Sequence, residues 1–249
     1  MSAWHIFAIF VAGMAAGTIN TVVGSGTLIT FPTLLAFGYA PVTANVSNTI
    51  GLVPGSVSGA LGYRRELNGQ RERVLAFGAA SLCGGVLGSI LLLILPASAF
   101  KEIVPFFIAL ALVLIVLQTQ INRTLGNRRR GHGEGVGPGA LAGAFCCGVY
   151  GGYFGAAQGI LMLSILALGI DDGLQRLNAL KVVTTGLTNL VAGIVFVIAA
   201  HVAWDVAGLI ACGSVIGGVL GARYGRRLHP NVLKALIIVV GITAIVRLI

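Results

Sequence analysis

Two glycine-containing segments interrupt apolar stretches at matching places in the two halves of the chain. The first is 21–27, with the sequence TVVGSGT, and the second is 153–159, with the sequence YFGAAQG. The apolar run after each segment has about ten residues, or roughly 15 Å of helix, which is half of a bilayer. A half-helix that begins inside a membrane presents unpaired N–H groups and a partial positive charge. The two segments therefore predict an anion site between two helix starts.

The residues predicted to bind at these helix starts are the glycines and small polar residues of the two segments. They are Gly24, Ser25, Gly26, Thr27, Gly155, Gln158 and Gly159. An alternative is that the glycines only allow close helix packing, as Gly13 and Gly17 would. Close packing does not require a shortened second run, so an interrupted hairpin is favoured. The GSGT sequence is not a phosphate loop, because the lysine and the preceding strand of that motif are missing.

Polar residues at helical spacing follow each interruption and predict a helix face that is turned away from lipid. They include Asn45 and Asn48 after the first segment, and Asn178, Lys181 and Thr185 after the second. The asparagines could line a substrate site or form hydrogen bonds between helices, and the sequence does not decide between these two roles. Lys181 either attracts an anion or extends its ammonium group to the cytoplasmic headgroups, and the second interpretation is favoured.

The composition is that of a membrane protein. Hydrophobic residues make up 57% of the 249 residues and charged residues 9%, and the mean hydropathy is +0.97. The apolar stretches are long and continuous, which indicates transmembrane helices rather than the alternating pattern of a β-barrel. We therefore predict an all-α polytopic membrane protein.

Several kinds of function lack the residues they need. Every Asp and Glu lies in a loop or at the edge of a predicted span, so a carboxylate proton relay is not supported. No Walker A, HExxH or serine–histidine arrangement indicates an enzyme. The four cysteines form no CxxC pair and have no neighbouring histidine, so no metal or other cofactor is predicted. The net charge is +9, but no cluster of basic residues with aromatic residues between them is present in the sequence. Nucleic acid is therefore not an expected partner.

Hydropathy predicts six full spans in addition to two interrupted hairpins. The predicted spans are 44–62, 74–95, 103–118, 179–199, 206–222 and 232–249. One hairpin, 4–37, precedes the first three spans, and the other, 139–168, precedes the last three. The chain thus divides into a first repeat, 1–120, a polar linker, 121–138, and a second repeat, 139–249.

The two halves are related by an internal duplication. Residues 81–88, SLCGGVLG, reappear as 214–221, SVIGGVLG, at an offset of 133. The same offset relates Asn45 to Asn178, and an offset of 131 relates Gly24 to Gly155. A shared pair of glycines could arise by chance, but the longer match with consistent offsets favours duplication.

The distribution of Lys and Arg predicts the orientation. Fourteen of the 16 lie on one side of the predicted spans, and Lys101 and Arg247 lie on the other. The side with fourteen is expected to be cytoplasmic and to include the linker, which puts both termini outside. Three full spans per repeat is an odd number. If each hairpin returns to the side from which it entered, the repeats are inverted relative to each other, as in alternating-access carriers.

A family resemblance rests on the segments around the two hairpins. The first hairpin ends in the sequence FPTL at 31–34, and Gly38 and the segment ANVSNT at 44–49 follow it. With its second copy at 148–169 and 178–181, this pattern resembles the sulfite exporter TauE/SafE family over nearly the whole chain. The resemblance implies a plasma-membrane permease for sulfite, sulfoacetate or other small sulfur-containing organic anions. The chain departs from the family in its thinned glycine runs and at Leu163, where a proline is expected, so the family name does not give the substrate.

The sequence thus predicts a secondary carrier that exports a small anion across the plasma membrane. A negative cell interior favours the exit of anions by about 2.3 kcal/mol per charge per 100 mV, so export needs no coupling ion. An anion channel would share this topology, and a membrane scaffold without transport activity is the third hypothesis. The expected partners are the small anion and the lipid bilayer. The sequence does not fix the oligomeric state, and a homodimer is compatible with it.

Overall fold

The computed structural model describes residues 1–128, 136–225, 237–240 and 242. Within these residues the regular structure is helical throughout, which confirms the all-α prediction. The helices that can be delimited are α1 (Ala3–Val22), α2 (Thr27–Ala36), α3 (Pro41–Gly62), α4 (Arg71–Ile94), α5 (Ala97–Arg128), α6 (Pro138–Tyr153), α7 (Gln158–Gly169), α8 (Leu174–Ala199) and α9 (Trp204–Tyr224). The predicted span 232–249 falls mostly outside the described residues.

Both predicted interruptions are present. Residues 23–26 separate α1 from α2, and residues 154–157 separate α6 from α7. The helices that follow are short, with 10 residues in α2 and 12 in α7. Gly24 and Gly155 have φ angles of +87° and +74°, which residues with a side chain rarely adopt. Glycine therefore allows the chain to leave one helix and begin the next within four residues.

Five helices have the length and hydropathy to cross a membrane: α1, α4, α8, α9 and the part of α5 that ends at Leu117. Together with the short apolar helices α2 and α7, they make the chain a multi-pass membrane protein. Helix α3 has 22 residues and matches the predicted span 44–62, but its polar side chains lower its hydropathy below that of these five. Those asparagines, serines and threonines are mostly buried in the protein and do not face lipid. A low hydropathy is therefore compatible with a membrane span at α3.

Helix α5 is longer than the predicted span 103–118. It begins at Ala97 and continues to Arg128, so the first part of the predicted linker, 121–138, is helical. Residues 129–135 of that linker lie outside the described residues.

Each interrupted hairpin packs against a helix of the other repeat, with α1 on α9 and α6 on α4. A Cβ on Gly17 would lie 2.8 Å from the Cα of Ser214, and a Cβ on Gly148 would lie 3.1 Å from the Cα of Ser81. Backbones can approach this closely only where glycine is present. The two pairs of residues are related by offsets of 131 and 133, which are the offsets of the duplication. The equivalent contacts at both interfaces support the duplication.

The helices that follow the two hairpins, α3 and α8, pack directly against each other. A Cβ on Gly193 would lie 3.5 Å from Cγ1 of Ile50, and a Cβ on Gly59 would lie 3.5 Å from Cγ1 of Val182. The contacting residue numbers rise along α3 while they fall along α8. The two helices are therefore antiparallel, although they occupy equivalent positions in the duplication.

Candidate functional site

The two interruptions touch each other. The backbone N–H of Gly159, at the start of α7, donates a hydrogen bond to the carbonyl oxygen of Gly24 across 2.9 Å. A Cβ on Gly24 would lie 2.9 Å from the carbonyl carbon of Gly159, so this contact leaves no room for a side chain. The structure thus brings together two predicted site residues, one from each repeat.

Asn45 and Asn178, at equivalent positions of α3 and α8, each cap an interrupted helix of the other repeat. The Nδ2 of Asn45 donates to the carbonyl oxygen of Tyr153, the last residue of α6, at 2.9 Å. The Nδ2 of Asn178 donates to the carbonyl oxygen of Thr21, in the last turn of α1, at 3.4 Å. The last carbonyls of a helix have no partner within the helix, so these amides satisfy two helix ends.

Lys181 extends the cap at the end of α1. Its Nζ donates to the carbonyl oxygens of Asn20 and Thr21 at 3.3 and 3.1 Å. The side chain is 0% exposed, so the expectation that it extends to the cytoplasmic headgroups is wrong. The carbonyl end of a helix has a partial negative charge, which stabilises a buried ammonium group.

The opposite end of the first interruption has donors without partners. The N–H groups of Ser25, Gly26 and Thr27, at the start of α2, have no acceptor in the described part of the chain. All three residues are buried. Buried N–H groups are normally hydrogen-bonded, and an unpaired one costs free energy. The oxygens of an anion would satisfy these donors.

Two side chains at the interruptions also lack partners. The Oγ of Ser25 and the Nε2 of Gln158 are buried, and neither has a hydrogen bond within the described residues. The Gln158 side chain lies against Gly151 of α6, where a Cβ would collide with it. The N–H groups of Gln158 and Gly159 already donate, to Gly155 and Gly24. The N–H groups of Ala156 and Ala157, which are also buried, have no acceptor among the described residues, so open donors lie at both interruptions.

Asn48 holds the start of α2 in place. Its Nδ2 donates to Oγ1 of Thr27 at 3.3 Å, and its Oδ1 accepts a short hydrogen bond from the hydroxyl of Thr30. Thr185 does not join this cluster, because its hydroxyl donates to the carbonyl oxygen of Lys181 at 2.8 Å within α8. Of the predicted polar residues, Asn48 contacts the start of α2 and Thr185 bonds within its own helix.

The sequence gives no indication that several main-chain carbonyls take part in this site. Asn20, Thr21 and Tyr153 accept hydrogen bonds through main-chain carbonyls. Every residue type has such a carbonyl, so residue type gives no signal. Thr30 has a signal that could have identified it, because it lies three residues after Thr27 and both hydroxyls share one face of a short apolar helix.

Aromatic rings pack around the second interruption. Phe154, within it, makes an edge-to-face contact with Phe31 of α2, with the ring centroids 5.1 Å apart. Phe100 of α5 contacts the same two rings edge to face, at 6.4 and 5.9 Å. Such pairs contribute about 0.5–1.5 kcal/mol beyond area burial. They fix α2 against the second interruption.

Formal charge is nearly absent from the interior. Among the residues whose side chains the structure describes, Lys181 is the only Asp, Glu, Lys or Arg that is buried. Within the same part of the chain, no group of three or more His, Cys, Asp and Glu residues is placed to hold a metal ion. The described interior thus has one basic side chain, Lys181, and no buried carboxylate.

An ionic network ties the start of α4 to the start of α8 outside the apolar spans. The Oδ2 of Asp172 lies 2.6 Å from Nη1 of Arg73 and 2.9 Å from Nε of Arg176. Partial burial acts to raise the pKa of Asp172. Hydrogen bonds from Arg176, from the N–H of Gly173 and from Arg73 outweigh burial and hold the pKa of this carboxyl below its usual value.

Comparison with known proteins gives a family and several relatives. A family model described as "Sulfite exporter TauE/SafE" matches residues 9–248. The chain is similar to the probable membrane transporter protein ORF9 of Sinorhizobium sp, with 29% identity over 99% of this chain and 93% of the relative. It is also similar to the probable membrane transporter protein YfcA of Escherichia coli K12, with 24% identity over 93% of this chain and 85% of the relative. A probable membrane transporter protein of Haemophilus influenzae is 26% identical, over 93% of this chain and 89% of the relative. No solved structure matches the chain.

Proposed function

This chain belongs to the sulfite exporter TauE/SafE family and is a membrane transporter, and from that premise we propose that it is a secondary carrier that exports a small anion. The proposed site is the start of α2, at the first interruption. The hydrogen bond between Gly24 and Gly159 links this interruption to the second repeat.

The observation that carries this proposal is the difference between the two ends of the first interruption. Its carbonyl end, on α1, accepts hydrogen bonds from Asn178 and Lys181. Its N–H end, on α2, has buried donors, among them the hydroxyl of Ser25, that have no acceptor in the described part of the chain. The carbonyl oxygens of Asn20 and Thr21, which could attract a cation, are occupied by these side-chain donors. The N–H groups at the start of α2 are of the kind that attracts an anion.

The two repeats are proposed to be inverted in the membrane. Helices α3 and α8 are equivalent in the duplication, and their contacts at Gly59 and Gly193 are those of an antiparallel pair. If both helices cross the bilayer, a two-fold axis that relates them lies in the membrane plane. This relation supports a carrier in which the repeats move against each other and open the site to each side in turn.

The proposed substrates are sulfite or a small organic sulfonate or carboxylate, since each presents several oxygens to the donors of α2. Export is the proposed direction, because the membrane potential expels an anion by about 2.3 kcal/mol per charge per 100 mV. The described interior has no buried carboxylate that would bind a coupling proton. The proposed location is the plasma membrane, with both termini outside and the linker in the cytoplasm.

Flux of radiolabelled sulfite in proteoliposomes tests this proposal. A carrier gives saturable flux and counterflow, in which unlabelled sulfite on one side drives the label across from the other. Ser25→Ala should lower the flux by about tenfold or more, because a hydrogen bond to a charged group contributes about 1.5–3 kcal/mol. Ser89→Ala is the matched control, since Ser89 is buried and its hydroxyl bonds within α4.

The other hypotheses give different results in the same assay. A channel gives flux without counterflow, and that result would favour the channel hypothesis over the carrier hypothesis. A scaffold gives no flux with sulfite or with any organic sulfonate or carboxylate in the series, and that result would overturn the proposed function.

A further inference from the structure

Lys181 breaks the equivalence of the two repeats beside the site. The offset of 133 relates it to Asn48 of the first repeat. Asn48 bonds to Thr27 and Thr30 at the start of α2, whereas Lys181 bonds to carbonyl oxygens at the end of α1. The second repeat therefore places a formal positive charge where the first repeat has a neutral amide.

This ammonium group determines the net charge of the site. The two ends of an interrupted helix have partial charges of opposite sign, about half a unit each, which cancel to a first approximation. Lys181 is the only charged residue that is buried among the described side chains. Its Nζ lies 3.1 Å from the carbonyl oxygen of Thr21, only four residues before Ser25. With Lys181 protonated, the empty site has a net charge of about one positive unit, by the same helix-end cancellation.

We propose that the transporter selects anions with a single negative charge, and that Lys181 determines this selectivity. The proposal rests on the proposed function, because it concerns the same site. A monoanion makes the occupied site neutral, whereas a dianion leaves one negative charge without compensation. A charge that is buried without a partner is strongly disfavoured, so the dianion should enter much less readily.

Selection of singly charged anions, which we call the charge rule, determines which protonation state of sulfite is transported. Hydrogensulfite has one negative charge and sulfite has two, so the transported species is hydrogensulfite. Organic sulfonates with one charge also satisfy the rule. Sulfate and sulfoacetate have two charges and should be poor substrates.

Methanesulfonate and sulfate test the rule on the unaltered protein. Both ions are tetrahedral at sulfur and present sulfonate oxygens, but in methanesulfonate a methyl group replaces one charged oxygen. In proteoliposomes we expect the flux of methanesulfonate to exceed that of sulfate by about tenfold or more. Equal fluxes, or a faster flux of sulfate, overturn the charge rule and leave the anion carrier intact. If neither ion nor sulfite moves, the proposed function itself fails.

A substitution tests the residue. Lys181→Gln removes the charge and keeps an N–H donor for the carbonyls of α1. We expect it to lower methanesulfonate flux by about tenfold or more. Lys181→Arg keeps the positive charge, so we expect its flux to stay close to that of the wild type. Lys101→Gln is the matched control, since Lys101 is exposed on α5, and it should transport like the wild type.

Thermal unfolding in detergent separates this role from a structural one. Methanesulfonate should raise the unfolding temperature of the wild type and of Lys181→Arg, but not that of Lys181→Gln. If Lys181→Gln is folded, is stabilised by methanesulfonate and transports it at the wild-type rate, Lys181 does not determine the selectivity. Should Lys181→Gln fail to fold, the ratio of methanesulfonate to sulfate flux in the unaltered protein still decides the charge rule.

Discussion

The N–H of Gly159 and the carbonyl oxygen of Gly24 form a 2.9 Å hydrogen bond that joins the two repeats at their interruptions. The contact is made from backbone to backbone, since a Cβ on Gly159 would lie 3.0 Å from that carbonyl oxygen. Gly24 also has a φ angle of +87°. Because α2 begins three residues after Gly24, this contact fixes the proposed anion site relative to the second repeat.

The first prediction concerns this contact. In Gly159→Ala the added methyl group meets the backbone of Gly24, which cannot rotate away as a side chain can. We expect the free energy of unfolding to fall by about 1–3 kcal/mol and most of the anion flux to be lost. Denaturation in detergent and flux in proteoliposomes measure the two effects.

The control for that substitution is Gly208→Ala. Gly208 lies within α9, and outside its own stretch of helix no atom of the described residues lies within 4 Å of its Cβ position. Alanine is favoured over glycine inside a helix, so this variant should be as stable as the wild type or slightly more stable. If Gly159→Ala behaves like Gly208→Ala, the close contact between the interruptions does not exist in the membrane.

The second prediction compares the two asparagine caps. Asn45→Ala leaves the carbonyl oxygen of Tyr153 without its side-chain donor, and we expect a loss of about 1–3 kcal/mol in the free energy of unfolding. Asn178→Ala should cost less, because the carbonyl oxygen of Thr21 also accepts from Lys181. Denaturation curves of the two variants in one detergent give the comparison. A larger loss for Asn178→Ala would contradict the assignment of these caps.

The interruptions and the duplication were accessible from sequence because they depend on residue type. A positive φ angle favours glycine, so Gly24 and Gly155 mark the interruptions without knowledge of the fold. Close helix contacts also favour glycine, and they occur at Gly17 and Gly148 as the offset of the duplication requires. The interruptions are local features and the duplication repeats at a nearly constant offset, so both can be recognised from the sequence alone.

The direction of the polar side chains was not accessible in the same way. Asn45 and Lys181 donate to carbonyl oxygens of helices that are far away in sequence. Helical spacing shows that such residues share a face, but it does not show which backbone group lies opposite that face. Lys181 can be buried because carbonyl oxygens at the end of α1 accept its hydrogen bonds. Only the tertiary packing of α8 against α1 brings these groups together.

The third prediction concerns pH and Asp172. Its pKa is lowered in the folded protein, so its ion pairs stabilise the fold above the ordinary value of 3.8 and lose their effect as the pH falls through the lower folded-state pKa. At neutral pH we expect Asp172→Asn to reduce the free energy of unfolding by about 1 kcal/mol. The difference from the wild type should disappear in acid below that range.

Asp171→Asn is the control for the pH experiment. Asp171 is the exposed neighbour of Asp172, and the described structure gives it no ion pair. Its substitution should leave stability unchanged at neutral pH. A difference between Asp172→Asn and the wild type that persists in acid would show that the carboxylate charge is not the cause.

The fourth prediction tests the inversion of the repeats. Asn68 and His201 are related by the offset of 133, and both are exposed in loops. In a background without the native cysteines, a membrane-impermeant maleimide should label His201→Cys in intact cells. It should label Asn68→Cys only after the membrane is opened. Labelling of both from the same side would exclude inverted repeats.

Ser98→Cys completes the topology experiment. Ser98 lies at the start of α5 in an exposed position, on the side predicted to be outside, so it should behave like His201→Cys. If Asn68→Cys alone is labelled in intact cells, the repeats are inverted but the orientation predicted from the cations is reversed.

A structure with bound selenite would show whether an anion binds to the donors at the start of α2 that have no acceptor among the described residues. Selenite is the selenium analogue of sulfite, and the anomalous scattering of selenium locates it without ambiguity. We expect a selenium peak with oxygens about 2.7–3.2 Å from the N–H groups of Gly26 and Thr27 and from Oγ of Ser25. A peak elsewhere in a protein that transports selenite, with these donors unoccupied, would show that the start of α2 is not the anion site.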